Sequence, residues 1–132
     1  MSMSGKKVLV VDDEVYVIEL LESTLKASGY EVIVALDGRE ALTKAVAESP
    51  DIISLDINMP GMNGFAVCQE LKARPETKRI PIIMLSALVR EADAARGLAL
   101  GAALYIKKPW QMDKYVAAIK RVLGESPISQ PG

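Results

Sequence analysis

Five short apolar runs alternate with longer amphipathic stretches along the chain. The runs consist mostly of consecutive β-branched and aliphatic residues, which is typical of parallel strands covered on both faces. The stretches between them repeat apolar positions every three or four residues, as helices do. This pattern predicts a doubly wound α/β fold, because right-handed crossovers place helices on both faces of one sheet. The predicted strands are residues 7–11, 31–35, 51–55, 81–85 and 103–107.

The same periodicity predicts which helical positions face the sheet. The fourth helix, around residues 90–101, is expected to be weak and mobile, because it is Ala-rich and contains Gly97, which costs a helix about 1 kcal/mol. The expected inward-facing residues are Val15, Ile18, Leu21 and Leu25 in the first helix, Leu42 and Val46 in the second, Phe65, Cys68 and Leu71 in the third, and Met112, Tyr115, Val116, Ile119, Val122 and Leu123 in the last.

The composition excludes several classes of protein and of functional site. The 132 residues fit one domain, half of them are apolar, and the formal net charge is −1, so neither direct nucleic-acid binding nor a membrane span is expected. One cysteine and no histidine exclude an internal disulfide and a histidine-based metal site, and they favour a cytoplasmic location. We expect a disordered segment at residues 1–5, the domain at 6–124, and a flexible tail or linker start at 125–132.

Polar side chains follow several predicted strands. Because the carboxyl ends of parallel strands meet at one edge of such a sheet, these side chains should lie together. Each alone has an ordinary explanation as a helix cap or, in the stretch SLDINMPGMNG (54–64), as part of a strand-ending turn. Their occurrence together at one edge of the sheet favours a functional site. The set comprises Asp12, Asp13 and Glu14 after the first strand, Asp56 after the third, Ser86 after the fourth and Lys108 after the fifth.

The charges of this set indicate its chemistry. Two carboxylates about 4 Å apart repel by about 4 kcal/mol near a protein surface, and Lys108 is one cation among several acids. A hard divalent ion bound by oxygen suits the remainder, so Mg²⁺ is the expected cofactor. Acids, Mg²⁺, a lysine and a hydroxyl can handle a phosphoryl group, with Asp56 as the nucleophile and Ser86 as a hydrogen-bond donor. No GxxxxGK[ST] loop is present, so ATP is not the expected donor.

Residues 6–124 resemble the receiver domain of two-component response regulators. The segments VVDDE, LDINMPGMNG, MLSA and YIKKP match the motifs of that family in order and spacing. The resemblance implies a flavodoxin-like (βα)5 fold with strand order 2-1-3-4-5. It also implies a phosphorylation-dependent signalling switch, with no enzyme activity beyond its own phosphotransfer and autodephosphorylation.

The resemblance also implies a role for each matching residue. Asp56 is the phosphoacceptor, and Mg²⁺ is bound by Asp12, Asp13, Asp56 and the backbone carbonyl of Asn58. The phosphoryl group is contacted by Ser86, Lys108 and the backbone of Ala87, while Ser86 and Tyr105 form the conformational switch. The peptide bond before Pro109 is cis, and Asn58 and Leu88 tune the lifetime of the phosphate.

The implied partners are a sensor histidine kinase or phosphotransfer protein as donor and a downstream protein or domain as output. One departure from the family concerns the segment GAALYIKKP, where Ala103 and Leu104 stand at positions at which the family often has acids. The surface formed by the fourth helix, fifth strand and fifth helix is therefore more apolar, which favours a homodimer through that face.

Three alternatives remain open from the sequence. An aspartyl-phosphate phosphatase or mutase would usually carry a second acid two residues after the nucleophile, where this chain has Asn58. A flavin-binding module on the same sheet order would need a phosphate loop after the first strand, where DDEV would repel a flavin phosphate. The third is a receiver-like interaction module that works without phosphorylation.

Overall fold

The apolar runs form one parallel sheet of five strands in the order β2-β1-β3-β4-β5. The computed structural model describes residues 5–59, 63–87, 90–108 and 111–125. Strands and helices alternate throughout these ranges, which confirms the predicted fold class. The elements are β1 (Lys7–Val11), α1 (Val15–Ala27), β2 (Glu31–Ala35), α2 (Gly38–Glu48), β3 (Ile52–Asp56), α3 (Gly64–Ala73), β4 (Ile82–Ser86), α4 (Glu91–Ala99), β5 (Leu104–Lys107) and α5 (Met112–Val122).

The sheet separates two apolar clusters, because alternate strand residues point to opposite faces. One face of β1, β3 and β4 packs against α2 and α3, with Leu9, Ile53 and Met84 among its buried residues. The other face packs against α1 and α5, with Val10 and Ile83 among its buried residues. All three central strands are therefore buried on both sides, as their continuous apolar sequences predicted.

Two predicted inward positions are wrong. Val15 is 57% exposed and Val46 is 37% exposed. Val15 is the first residue of α1, and the helix turns Val17 and Ile18 onto the sheet after it. In α2 the small side chains of Ala41 and Ala45 occupy the inward face, so the larger valine next to them points outward.

The fourth helix forms despite its glycine. A Cβ atom added to Gly97 would lie 2.8 Å from Sδ of Met84 and 2.9 Å from Cδ2 of Tyr105. The glycine therefore allows α4 to approach the sheet closely, a packing role that helix propensity does not show.

Within the described ranges, no helix combines the length and apolar character needed to cross a bilayer. The terminal stretches 1–4 and 126–132 lie outside the described residues, so their predicted disorder stays a prediction.

Candidate functional site

The acidic site is built at the carboxyl edge by two neighbouring strands. Asp12 directly follows β1 and Asp56 ends β3, and these strands are paired so that Val11 lies opposite Leu55. Both carboxylates are buried, at 0% and 1% exposure, whereas Asp13 is exposed. One carboxylate oxygen from each of the three aspartates lies within 4.8 Å of the others. The structure thus brings together three acids that sequence analysis placed at this edge.

The backbone after each strand orients the two buried carboxylates. The amide N–H of Glu14 donates to Asp12 Oδ1 over 2.9 Å, and that of Asn58 donates to Asp56 Oδ1 over 3.1 Å. Each is an Asx turn, in which a carboxylate accepts from the backbone two residues later. The sharp bend that looked like an ordinary turn in the sequence therefore holds Asp56 at the edge with its second oxygen available.

Lys108 is the cation of the site. Its Nζ lies 3.1 Å from Asp12 Oδ2, 3.2 Å from Glu14 Oε1 and 3.5 Å from Asp56 Oδ2, and its side chain is only 10% exposed. The Lys108 amide donates to the carbonyl of Ser86, which fixes the end of β5 to β4. The contact between Glu14 and this lysine was not predicted from the sequence.

Burial and neighbouring charges shift the pKa values of these groups in opposing directions. Burial raises the pKa of Asp12 and of Asp56, and the backbone N–H donors and Lys108 offset this only in part. Burial by itself would lower the pKa of Lys108, but the charges of Asp56 and Asp12 outweigh it and raise that pKa. The site therefore combines carboxylates that are costly to ionise where they are buried with a lysine whose charge those carboxylates stabilise.

The donor set fits a magnesium ion. It offers three carboxylates, which are the hard oxygen ligands that Mg²⁺ prefers. In the described part of the chain, the buried Asp12 Oδ2 has the ion pair with Lys108 and no hydrogen-bond donor of good geometry. An incoming cation would satisfy this oxygen and relieve the repulsion between the acids.

Ser86 and Asn58 lie beside the acids. Ser86 ends β4 and is 2% exposed, and its Oγ lies 3.4 Å from Nδ2 of Asn58. Ala87 follows at an exposed position. Leu88 and Pro109 lie outside the described residues, so the predicted lifetime role and cis peptide remain predictions.

Tyr105 lies in β5, on the face of the sheet that packs against α3 and α4. Its ring stacks on Phe65 with centroids 6.5 Å apart and an interplanar angle of 16°, and Arg96 places Cζ 4.3 Å from the centroid of Phe65. The Tyr105 hydroxyl is buried and makes no hydrogen bond within the described ranges. The ring is thus turned inward. No sequence pattern predicts its partners, because they come from separate helices.

Replacing Asp56 by asparagine is expected to stabilise the metal-free protein at neutral pH by on the order of 1 kcal/mol. Since burial raises the pKa of Asp56, the folded state binds this proton more tightly than the unfolded state. The free energy of unfolding of the wild type should therefore fall as pH rises from about 4 through the folded-state pKa. Urea unfolding in chelator at about pH 5 and 7 measures this slope, which Asp56→Asn should flatten.

Asp113→Asn is the matched control, because Asp113 is exposed in the first turn of α5. It should keep the wild-type slope. If the free energy of unfolding had the same pH slope in Asp56→Asn and the wild type, that would contradict the conclusion that burial of this carboxylate is unfavourable.

Comparison with known proteins gives consistent matches. The family model of the response regulator receiver domain matches residues 8–120. The chain is 45% identical over 127 residues to the alkaline phosphatase synthesis transcriptional regulatory protein PhoP of Bacillus subtilis, covering 96% of this chain and 52% of that protein. The chain therefore spans about half the length of this relative.

Two solved structures show the same fold. The chemotaxis protein CheY4 of Vibrio cholerae superimposes with a TM-score of 0.86 at 36% identity, covering 90% of this chain and 99% of that chain. The receiver domain of a sensor histidine kinase from Pseudomonas aeruginosa, with a magnesium ion coordinated in its active-site cleft, has a TM-score of 0.83 at 28% identity and covers 92% and 100%. The family model matches residues 8–120, and the order of the strands in the sheet agrees with it. This chain therefore belongs to the response regulator receiver domain family of two-component signalling systems.

Proposed function

We propose that this chain is a phosphorylation-dependent switch that accepts a phosphoryl group on Asp56 from a phosphohistidine of a partner kinase or phosphotransfer protein. One observation carries the proposal. A buried carboxylate at the carboxyl edge of the sheet lies with Asp12, Asp13 and Lys108 around it. A structural aspartate at this position would gain nothing from two further acids beside it.

The orientation of Asp56 suits it as the nucleophile. Its Oδ1 is occupied by the Asn58 amide, so Oδ2, which lies 3.5 Å from Lys108, is the oxygen that attacks phosphorus. The new O–P bond forms as the P–N bond of phosphohistidine breaks. The imidazole leaves with the electron pair and takes up a proton, and Asp56 becomes an aspartyl phosphate.

Asp12, Asp13 and Asp56 would hold Mg²⁺, and we extend this set to the backbone carbonyl of Asn58. The bound ion supplies positive charge to the acids and to the phosphoryl oxygens. Lys108 contributes a second positive charge from its position between Asp12 and Asp56. The magnesium ion in the cleft of the Pseudomonas receiver domain supports this assignment.

Ser86 and Tyr105 would convert the modification into a change of surface. Phosphorylation adds about 1.5 to 2 negative charges at neutral pH. The Ser86 hydroxyl and the Ala87 amide are the donors that would move towards the new oxygens, and this movement would hold Tyr105 in the inward position that its buried hydroxyl already has. The surface formed by α4, β5 and α5 then favours a different partner or a second copy of this chain.

Output through an attached domain or a separate protein, in the cytoplasm, belongs to the same proposal. PhoP is a transcriptional regulatory protein about twice as long as the part that this chain matches. An attached regulatory domain is therefore one form that the output could take.

Incubation with acetyl phosphate and Mg²⁺, followed by intact mass measurement, tests the acceptor. The wild type and Asp113→Asn should each gain the mass of one phosphoryl group, which neutral hydroxylamine should remove. Asp56→Asn should gain none. Modification that persists in Asp56→Asn would refute the acceptor assignment, and an unmodified wild type would favour the phosphorylation-independent interaction module.

A further inference from the structure

Two buried hydroxyls lie beneath the acidic site, on the face of the sheet covered by α1 and α5. Ser54 is 1% exposed and Tyr115 is 0% exposed. In β3, Ile53 and Leu55 point into the opposite cluster, so Ser54 shares its face with Asp56 and lies about 7 Å before it along the strand. Tyr115 approaches this face from α5, among the residues that pack against Val10 and Ile83.

The register of β1 and β3 places Ser54 and Asp12 on one face of the sheet, because Ser54 lies opposite Val10 and Asp12 follows Val10 by two residues. Burial raises the pKa of Tyr115, the neighbouring Ser54 hydroxyl opposes that rise, and the charge of Asp12 adds to it. The phenol therefore remains protonated and available as a donor. Tyr115 on α5, Ser54 on β3 and Asp12 after β1 therefore share one face of the sheet.

Burial of these polar atoms without hydrogen bonds lowers the stability of the folded state. Within the described ranges Asp12 Oδ2, Ser54 Oγ and the Tyr115 hydroxyl are all buried without a hydrogen bond of good geometry. A buried hydroxyl without a partner destabilises the folded state, and phenylalanine or alanine would fill the same positions without that cost. Two such hydroxyls on one face of the sheet, in an otherwise apolar cluster, indicate that their O–H groups donate hydrogen bonds in another state of the site.

The contacts of Lys108 indicate in which state of the site those hydrogen bonds form. In this structure the lysine is divided among Asp12, Glu14 and Asp56. Asp12 Oδ1 accepts from the Glu14 amide, and Oδ2 is the oxygen that a bound cation would use, so this carboxylate needs outer donors to keep its orientation once Lys108 turns towards a phosphoryl group on Asp56. On the basis of the proposed function, we infer that Tyr115 and Ser54 are positioning residues that donate towards Asp12 from below and hold its carboxylate in the metal-binding orientation.

Titration of labelled protein with magnesium chloride, followed through amide chemical shifts, tests this inference. Tyr115→Phe and Ser54→Ala are each expected to weaken Mg²⁺ binding by about tenfold, as is usual when an outer partner of a metal ligand is lost. The double variant should bind little more weakly than either single variant, because both hydroxyls act through one carboxylate.

Tyr30→Phe is the matched control. Tyr30 is also buried, at 4% exposure, but its hydroxyl donates to Glu125 over 2.9 Å, after the end of α5. This variant should lose stability and keep the wild-type affinity for Mg²⁺. Should Tyr115→Phe not fold, Ser54→Ala provides the same comparison.

Opposite results would identify the hydroxyls as structural only. In that case Tyr115→Phe would be more stable than the wild type, since an unpartnered group is removed, and its affinity for Mg²⁺ would be unchanged. That outcome, with a wild type that binds Mg²⁺ and accepts a phosphoryl group, overturns this inference and leaves the proposed function intact. A wild type that does neither overturns both.

Discussion

Replacing Lys108 by methionine is expected to lower the free energy of unfolding at neutral pH by about 3 kcal/mol. Methionine keeps most of the aliphatic volume, so the loss is that of the charge. The lysine is the partner of two carboxylates that are 0% and 1% exposed, and without it neither acid has a cation partner among the described residues. Urea unfolding in chelator measures the difference.

The pH dependence distinguishes this charge effect from a packing effect. Burial already raises the pKa of Asp12 and of Asp56, and removal of Lys108 raises both further. The deficit of Lys108→Met should therefore shrink as pH falls through the raised pKa values of these acids and they become protonated, whereas a packing defect would stay constant. Added Mg²⁺ should also reduce the deficit, because a ligand that binds the folded state stabilises it.

The neighbouring lysine provides the control. Lys107 lies at the end of the same strand, but its side chain is exposed. Lys107→Met should leave the free energy of unfolding within about 0.5 kcal/mol of the wild type. Equal stability of Lys108→Met and Lys107→Met at neutral pH would contradict the electrostatic account of the site.

The fold and the position of the site could be predicted because both depend on patterns that lie within single strands. Continuous apolar runs indicated parallel strands buried on both faces, and the topology of such a sheet brings the residues after each run to one edge. Asp12, Asp56 and Lys108 therefore needed no knowledge of side-chain contacts to be placed together. Their distances and burial now support that prediction in detail.

What could not be predicted depends on contacts between elements that are distant in sequence. Helical periodicity does not show which flank of a stripe is covered, so Val15 and Val46 were placed inside wrongly. Gly97 looked like a weak point of α4, yet it is where that helix touches Met84 and Tyr105. Tyr115 looked like one more apolar position, since nothing in a stripe reveals that its hydroxyl would be buried without a hydrogen bond among the described residues.

Gly64 is a further position where a contact between elements decides the outcome, and Gly64→Ala is expected to destabilise the protein by about 3 kcal/mol. A Cβ atom there would collide with Cα of Ile57 and would lie 2.7 Å from its Cγ2 and 2.9 Å from the carbonyl oxygen of Asp56. Because two of these atoms belong to the backbone, no change of rotamer relieves the contact. The gain in helix propensity, about 1 kcal/mol at most, does not compensate.

The collision would also disturb the site. The amide of Gly64 donates to the carbonyl of Ile57 over 3.1 Å, which closes the loop that leaves Asp56 and begins α3. Separating these backbones would move Asp56 away from the amide of Asn58. We therefore expect Gly64→Ala to weaken Mg²⁺ binding as well as stability, both of which can be measured by urea unfolding with and without the ion.

Gly124→Ala separates crowding from backbone conformation. Gly124 has a φ of +77°, and a methyl group added there would meet no atom within 4 Å in the described part of the chain. Alanine at this position therefore costs only the left-handed conformation, about 1 kcal/mol. If Gly64→Ala cost no more than Gly124→Ala, the close approach of α3 to β3 would not be what restricts this position to glycine. A larger loss that is accompanied by weaker Mg²⁺ binding would show that the packing of α3 also fixes the orientation of Asp56.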